Sequence, residues 1–488
     1  MLFNSYIFIL FFLPLCVAVY FFLYHFKAGR AARLWLLCMS LWFYGYFNPS
    51  YVLIICGSIL GNFGISRFLL RQHLNGRSRT GKAGMLLGVA ANVALLFYFK
   101  YFDFFLENIN ALFHTDFVLQ KIVLPLGISF FTFQQISYVV DSWRGETKQY
   151  SLLDYAVFVS FFPQLVAGPI VLHDELIPQL LDEKKHKMDA MHLSRGMYFF
   201  AVGLFKKVIV ADTLGNLVAL GFGGIEILTC PDVLLVIVCF ALQLYYDFSG
   251  YSDMATGIAS LFNISLPVNF HSPYKARSIL EFWDRWHMTL TRFLRRYIYF
   301  PLGGSRRGRI RTYLNILIVF LVSGFWHGAN WTFVVWGLLH GLAEVLTRRF
   351  RNTWDRIPGL IQWFFTFGFV SFAFLIFRAD TLEQAYIMFR KVAKLESFHI
   401  TSSMLDGLTL PEARHLEELL FPGGLPGPEG CIRLCIFLIT VLGVTLGTKN
   451  CQEQEFVCTK RNLVMTVGML TWSIVSLSGI STFLYFNF

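Results

Sequence analysis

Apolar runs of about 20 residues, the length a helix needs to cross a hydrocarbon core of roughly 30 Å, recur along this chain from its first residues to its last. Inside lipid the backbone must satisfy its own hydrogen bonds, so the runs predict an all-α polytopic membrane protein. We expect about ten to twelve membrane segments, with re-entrant and interfacial helices among them. Composition excludes the alternative of a water-soluble globule: at 56% hydrophobic and 15% charged residues, there is far too much apolar surface to hide.

The formal net charge of +11 does not mark a nucleic-acid binder, because the basic residues stand in short clusters between apolar runs. That is the pattern of loops retained on the cytoplasmic side. Segments 1–26, 34–46, 51–66, 83–105 and 122–140 read as spans, and the clusters at Lys27–Arg33, Arg67–Lys82 and Arg144–Lys148 fall two crossings apart. All three then lie inside and the N-terminus outside, in the periplasm. The first run lacks a basic leader and an A-x-A-like cleavage site, so it reads as a retained span.

Further spans are expected near 197–215, 232–262, 312–325, 330–347, 361–378, 431–447 and 463–485. The stretch "FFPQLVAGPI" (161–170) is broken by Pro and Gly and reads as re-entrant. Four regions follow: N-terminal helices over 1–150, a core over 151–394, an extramembrane segment over 395–430, and C-terminal helices over 431–488. Within the extramembrane segment, "PEARHLEELL" (411–420) predicts a short surface helix and "FPGGLPGPEG" (421–430) a loop. The nine Cys form no CxxC pair, and no HExxH is present, so no metal site is predicted.

Two histidines carry the chemical signal. Plotted as one helix, 282–297 places Phe282, Trp283, Trp286, His287, Leu290, Phe293, Leu294 and Tyr297 within an arc of about 160°, with four arginines on the other side. That predicts a cationic amphipathic helix in the headgroup region, His287 facing inward. Residues 275–311 hold ten Lys or Arg, which makes this side cytoplasmic and suits anionic lipid headgroups or the phosphates of a nucleotide-bearing donor. In "SGFWHGANW" (323–331), His327 stands beside Gly324, Gly328 and Ala329, small residues that let another backbone or a narrow substrate approach.

An imidazole titrates near pH 6.5, so it can take a proton from a hydroxyl and return it. The commoner use of a buried histidine is a core ring bonded to a carbonyl, and His340 is read that way. Asp247 and Asp253 sit about 240° apart on a helix, too far round for a carboxylate pair. They either line a polar passage or hold helices together. Asn330, three residues after His327 on the same helical face, can donate to an acyl oxygen or simply pack.

Seven blocks in one order resemble the membrane-bound O-acyltransferases, in particular the bacterial branch that acetylates alginate and other exported polysaccharides. They are "LPLGISFFTFQQISYVVD" (124–141), "FFPQLVAGPI" (161–170), "YYDFSGYSDMATG" (245–257), "NFHSPYKARSILEFWDRWH" (269–287), "YIYFPLGG" (297–304), "WHGANWTFVVWGLLHG" (326–341) and "FRADTLEQA" (377–385). The resemblance implies helices around a central tunnel, with His327 as the family histidine and His287 as the second active-site position. Candidate substrate-binding residues are Asn330, Trp283, Trp286, Trp326, Asp247 and Asp253.

The same resemblance implies an enzyme of the bacterial inner membrane that binds no cofactor. Acetyl-CoA or another acyl thioester serves as co-substrate, and a periplasmic acetyltransferase partner finishes transfer onto polysaccharide. Two positions depart from the branch: Asp284 stands where a base is common and Arg296 where an acid is. A transporter of an acylated molecule, or a recruiting scaffold, are the alternatives the residues leave open.

Overall fold

The computed structural model describes residues 1–395, 397–407, 429–477 and 482–484, and among them every regular element is helical. The chain opens with α1 (Phe8–His25), α2 (Gly29–Gly45), α3 (Ser50–Leu74), α4 (Ser78–Phe113) and α5 (Ile128–Arg144). Three short helices follow, α6 (Leu152–Ser160), α7 (Phe162–Leu165) and α8 (His173–Leu181), then a long α9 over 190–223 and α10 (Cys230–Leu261). The remainder is α11 (Ile279–Arg285), α12 (Met288–Leu294), α13 (Arg309–His327), α14 (Trp331–Arg349), α15 (Gly359–Arg378), α16 (Leu382–Lys394), α17 (Glu429–Gly447) and α18 (Lys460–Val475).

Seven helices among the described residues are long and apolar enough to cross a membrane. Their outer faces are apolar too: Leu53, Leu87, Phe364 and Ile439 are exposed, while Asn62 and Asn92 pair with each other inside. That inversion of the soluble pattern follows from lipid as the surrounding solvent, in which an unpaired amide is costly. The surface helix expected at 411–420 lies outside the described residues. So does the loop at 421–430, except for its last two residues, which open α17.

Two expectations need correcting at element ends. The segment 122–140 is helical only from Ile128, because Pro125 and Gly127, the latter at φ +71°, hold the preceding stretch irregular. The amphipathic helix drawn over 282–297 is two helices, interrupted at Trp286–His287. The re-entrant stretch 161–170 is one helical turn followed by irregular backbone, and all ten residues are buried in protein, the condition under which such backbone is tolerated at depth.

α9 and α10 are the most closely packed pair. A Cβ on Gly203 would stand 2.5 Å from the Gly250 carbonyl oxygen, and one on Gly257 would stand 2.7 Å from that of Gly196. Small residues at such crossings let helices gain dispersion contact where lipid supplies no hydrophobic drive. Around them lie two apolar cores. One gathers α1, α2, α5 to α8, the end of α10, Leu290 and Trp326; the other gathers the start of α10, Trp286, α13 to α16 and Trp336. The chain passes from one core to the other at 286–290 and again at 326–336, and each passage carries one of the two histidines.

Candidate active site

His327 closes α13. Gly328 is extended (φ −163°), and a Cβ there would stand 2.0 Å from the ring of Phe333. Upstream, a Cβ on Gly324 would stand 2.3 Å from the Phe333 carbonyl oxygen, so the small residues beside His327 do admit another backbone, that of α14. A helix end leaves four carbonyls without intrahelical donors. Lys100 Nζ donates to the carbonyls of Trp326 (2.7 Å) and His327 (2.8 Å), and the Tyr101 hydroxyl donates to that of Phe325 (2.8 Å). Both residues come from a π-helical turn, Phe97–Tyr101, inside α4.

His287 sits at the break between α11 and α12 with φ +44° and ψ +51°, a left-handed conformation that non-glycine residues adopt rarely. Asn269 builds the break. Its Oδ1 meets His287 Nδ1 (3.1 Å) and accepts from the Thr289 backbone N–H (3.3 Å) and hydroxyl (2.9 Å), while its carbonyl accepts from the Met288 N–H (3.0 Å). With an amide oxygen as partner, Nδ1 is the donor, which leaves the lone pair on Nε2. Sequence reasoning passed over Asn269; it is the first residue of the block 269–287, the one available signal.

The histidines converge on one ring. The Trp326 indole lies 6.2 Å from the His287 ring and 4.9 Å from that of His327, centroid to centroid, and stacks on Phe133 at 5.0 Å. Trp336 continues the row, 5.2 Å from His327 and 4.9 Å from His340. His340, read as structural, accepts a bond from Trp283 Nε1 at 3.2 Å. His287, His327 and His340 are 1%, 6% and 0% exposed, so the row is sealed from bulk solvent.

Cavities flank this row. One of about 300 Å³ is lined by Met288 and Thr289, the two residues after His287, with Trp283, Asp284, Arg292 and Arg295. A neighbour of about 120 Å³ shares Trp283, Asp284 and Arg295 and adds Phe320, Glu344 and Arg348. A third, of about 40 Å³, is lined by His327, Trp326, Lys100, Gly127, Ser129, Phe130 and Val166. His287 lines none of the three; Trp326, whose ring lies 6.2 Å from it, lines the third.

The other candidates fall into two groups. Trp283 and Trp326 line cavities. Trp286 packs among Phe270, Tyr274, Phe282 and Phe374. Asp253 pairs with Lys206 at 2.6 Å, and Asp247 with Lys207 at 2.7 Å. Asp247 also accepts from the Leu484 N–H while Lys207 donates to the Thr482 carbonyl, so this pair holds the segment 482–484.

Asn330 does not share a helical face with His327, since α13 has ended. Its Oδ1 instead caps α14 through the Thr332 N–H (3.1 Å), and its Nδ2 donates to the Asp380 carbonyl (2.8 Å). The two reversed charges find partners within the chain. Arg296 meets Asp141 (3.1 Å) and Glu146 (2.5 Å), and Asp284 meets Arg295 (3.2 Å) because the helix between them is broken.

Known proteins share this sequence over long stretches. The family model described as MBOAT, membrane-bound O-acyltransferase family, matches residues 91–379. A peptidoglycan O-acetyltransferase of Helicobacter pylori is 37% identical, the match covering 100% of this chain and 98% of that protein. A probable alginate O-acetylase AlgI of Pseudomonas aeruginosa is 36% identical over 84% of this chain and 78% of its own length. A teichoic acid D-alanyltransferase of Bacillus subtilis is 27% identical over 52% of this chain and 68% of its own length.

Proposed function

The chain belongs to the membrane-bound O-acyltransferase family, and from that premise we propose that it moves an acetyl group from a cytoplasmic thioester to a hydroxyl of an exported glycan. Acetyl-CoA or another acyl thioester is the donor, entering from the arginine-rich side where the two larger cavities lie. Peptidoglycan is the acceptor polymer we favour over alginate. In its support, the peptidoglycan relative matches from end to end, and the alginate relative over a shorter span. A periplasmic partner carries the group onward to the polymer.

In this reading His327 is the general base. The acceptor oxygen attacks the thioester carbonyl carbon as its proton passes to the imidazole. The tetrahedral adduct then collapses, the C–S bond breaks, and the thiol leaves with that proton. General-base catalysis is typically worth about 10²–10⁴ in rate, and bringing both reactants together beside Trp326 adds proximity. His287, held by Asn269 with its lone pair on Nε2, orients the donor by accepting one of its N–H groups.

The observation that carries the proposal is the meeting of two buried histidines, from separate helix ends, at the ring of Trp326. Purified full-length protein given a labelled acetyl thioester and a small hydroxyl acceptor tests it. The variant His327→Ala should lose transfer by about 10² or more while eluting and melting as the parent does. Full activity in that variant removes the mechanism, and activity that requires a sealed vesicle marks a transporter instead. Ester analysis of peptidoglycan and exopolysaccharide, with and without the gene, identifies the polymer.

A further inference from the structure

Lys100 is a cation at membrane depth that differs from the other inward-facing ones. Arg33 pairs with Asp154, Lys206 with Asp253, Lys207 with Asp247 and Asp212, and Arg296 with Asp141. No carboxylate among the described residues lies within ion-pairing distance of Lys100. Its Nζ is bound instead by the two carbonyls that end α13, and it stands 6.0 Å from the centroid of the Trp326 ring. An unneutralised charge so placed is costly, and such residues in membrane proteins mark function by default.

Its surroundings say what that function is. Lys100 and His327 line the same cavity of about 40 Å³, and the remaining lining is apolar apart from Ser129 and backbone. The first residues of α5, Gly127 to Ser129, face it as well, and a helix start carries partial positive charge. An ammonium has three N–H donors. Two are spent on carbonyls, which fixes the nitrogen in place and leaves the third for another acceptor. The cavity therefore offers a preorganised positive field beside the proposed base, in a low-dielectric pocket where such a field acts most strongly.

We propose that Lys100 is a catalytic residue that stabilises the negative charge formed on the acyl carbonyl oxygen when the acceptor attacks. The assignment rests on the acyl-transfer reading above. As the O–C bond forms, the proton goes to His327 and the carbonyl π electrons move to oxygen, where the ammonium meets them. As the C–S bond breaks, the charge leaves that oxygen. Lys100 keeps its proton throughout.

The test uses the full-length protein and compares Lys100→Met, Lys100→Ala and His327→Ala. Lys100→Met keeps the side-chain volume and removes the charge. It should lower kcat by about 10²–10³, the usual cost of one lost oxyanion donor, with KM for the thioester little changed. Ethylammonium added to Lys100→Ala should restore about tenfold of the loss, a response that a helix cap alone would not give. Lys100→Met at the parental rate overturns the assignment, as does a loss that tracks only the fraction of folded protein and answers to no amine. An active His327→Ala would sink His327 as the base, and with it the mechanism on which the assignment rests. An inactive His327→Ala beside a fully active Lys100→Met would remove Lys100 alone.

Discussion

At φ +44° the Cβ of His287 crowds its own backbone, a strain of roughly 1–2 kcal/mol for an L-residue. Such strain persists where surrounding bonds over-determine it, and here the four contacts from Asn269 do so. Replacing His287 by Gly relieves the strain, whereas Ala keeps it. Both variants lose the ring, so both should be inactive, yet His287→Gly should be more stable than His287→Ala by about 1–2 kcal/mol. Denaturation of the two in the same detergent checks this; equal stabilities would mean the left-handed turn is not held in solution.

Trp326 makes a second prediction at this scale. Its ring walls the cavity of His327 and Lys100 and lies 6.2 Å from the His287 ring. Removing that wall in Trp326→Ala should let water reach the acyl carbon and shift the product ratio from transfer toward thioester hydrolysis. An unchanged ratio would show that the indole does not screen the reaction.

Among elements, the crossing of α13 and α14 bears most directly on the site, because one end of each brackets His327. It depends on Gly324, where a Cβ would stand 2.3 Å from a carbonyl oxygen that cannot rotate away, whereas a Cβ on Gly61 in α3 meets nothing within 4 Å. Ala in place of Gly in a helix gains up to about 1 kcal/mol in propensity. Overpacking costs about 1–3 kcal/mol, so Gly324→Ala should melt below the parent and Gly61→Ala at or above it. Paired melting curves decide; a Gly324→Ala that melts like Gly61→Ala would mean the helices part without cost. Activity should fall in the first variant alone, since parting these helices moves His327.

Helix ends were where the sequence misled. A wheel over 282–297 places the apolar residues and His287 inward as found, but it turns Thr289 outward, where the structure buries it against Asn269, and periodicity has no means of sensing a break imposed from outside. That break comes from Asn269, 18 residues upstream of His287. Asn330 was placed beside His327 by counting along a helix that in fact stops at Gly328. Lys100 lies within the run read as a span over 83–105, with nothing local to single it out; its acceptors lie 226 and 227 residues away. The histidines stand out in the sequence for different reasons, His327 as an ionisable ring after an apolar run and His287 as the one ionisable residue on the apolar face of a basic segment. Their common neighbour, Trp326, became visible only with the tertiary structure.

For the molecule as a whole, spans could be read from hydropathy because each is a local property, and orientation rests on a separate argument about charge. If α2, α5 and α9 cross as well as the seven long apolar helices, the basic clusters at 27–33, 67–82, 144–148 and 275–311 all fall on one side, and that side should be cytoplasmic. Gly127 and His327 fall at the opposite ends of α5 and α13, with Lys100 of α4 bonded to the end of α13, so the proposed chemistry has a direction, with the donor entering among the arginines and the acceptor from outside. This is checkable without any assay of activity. In a variant whose nine Cys are replaced, single cysteines at Ser305, in the exposed turn before α13, and at Asp116, in the exposed segment after α4, report their sides through a membrane-impermeant maleimide applied to spheroplasts. Asp116→Cys should label at once, and Ser305→Cys only after the membrane is opened. The reverse result would turn the molecule over, place the arginine-lined cavities outside the cell, and leave a cytoplasmic thioester with no route to His287.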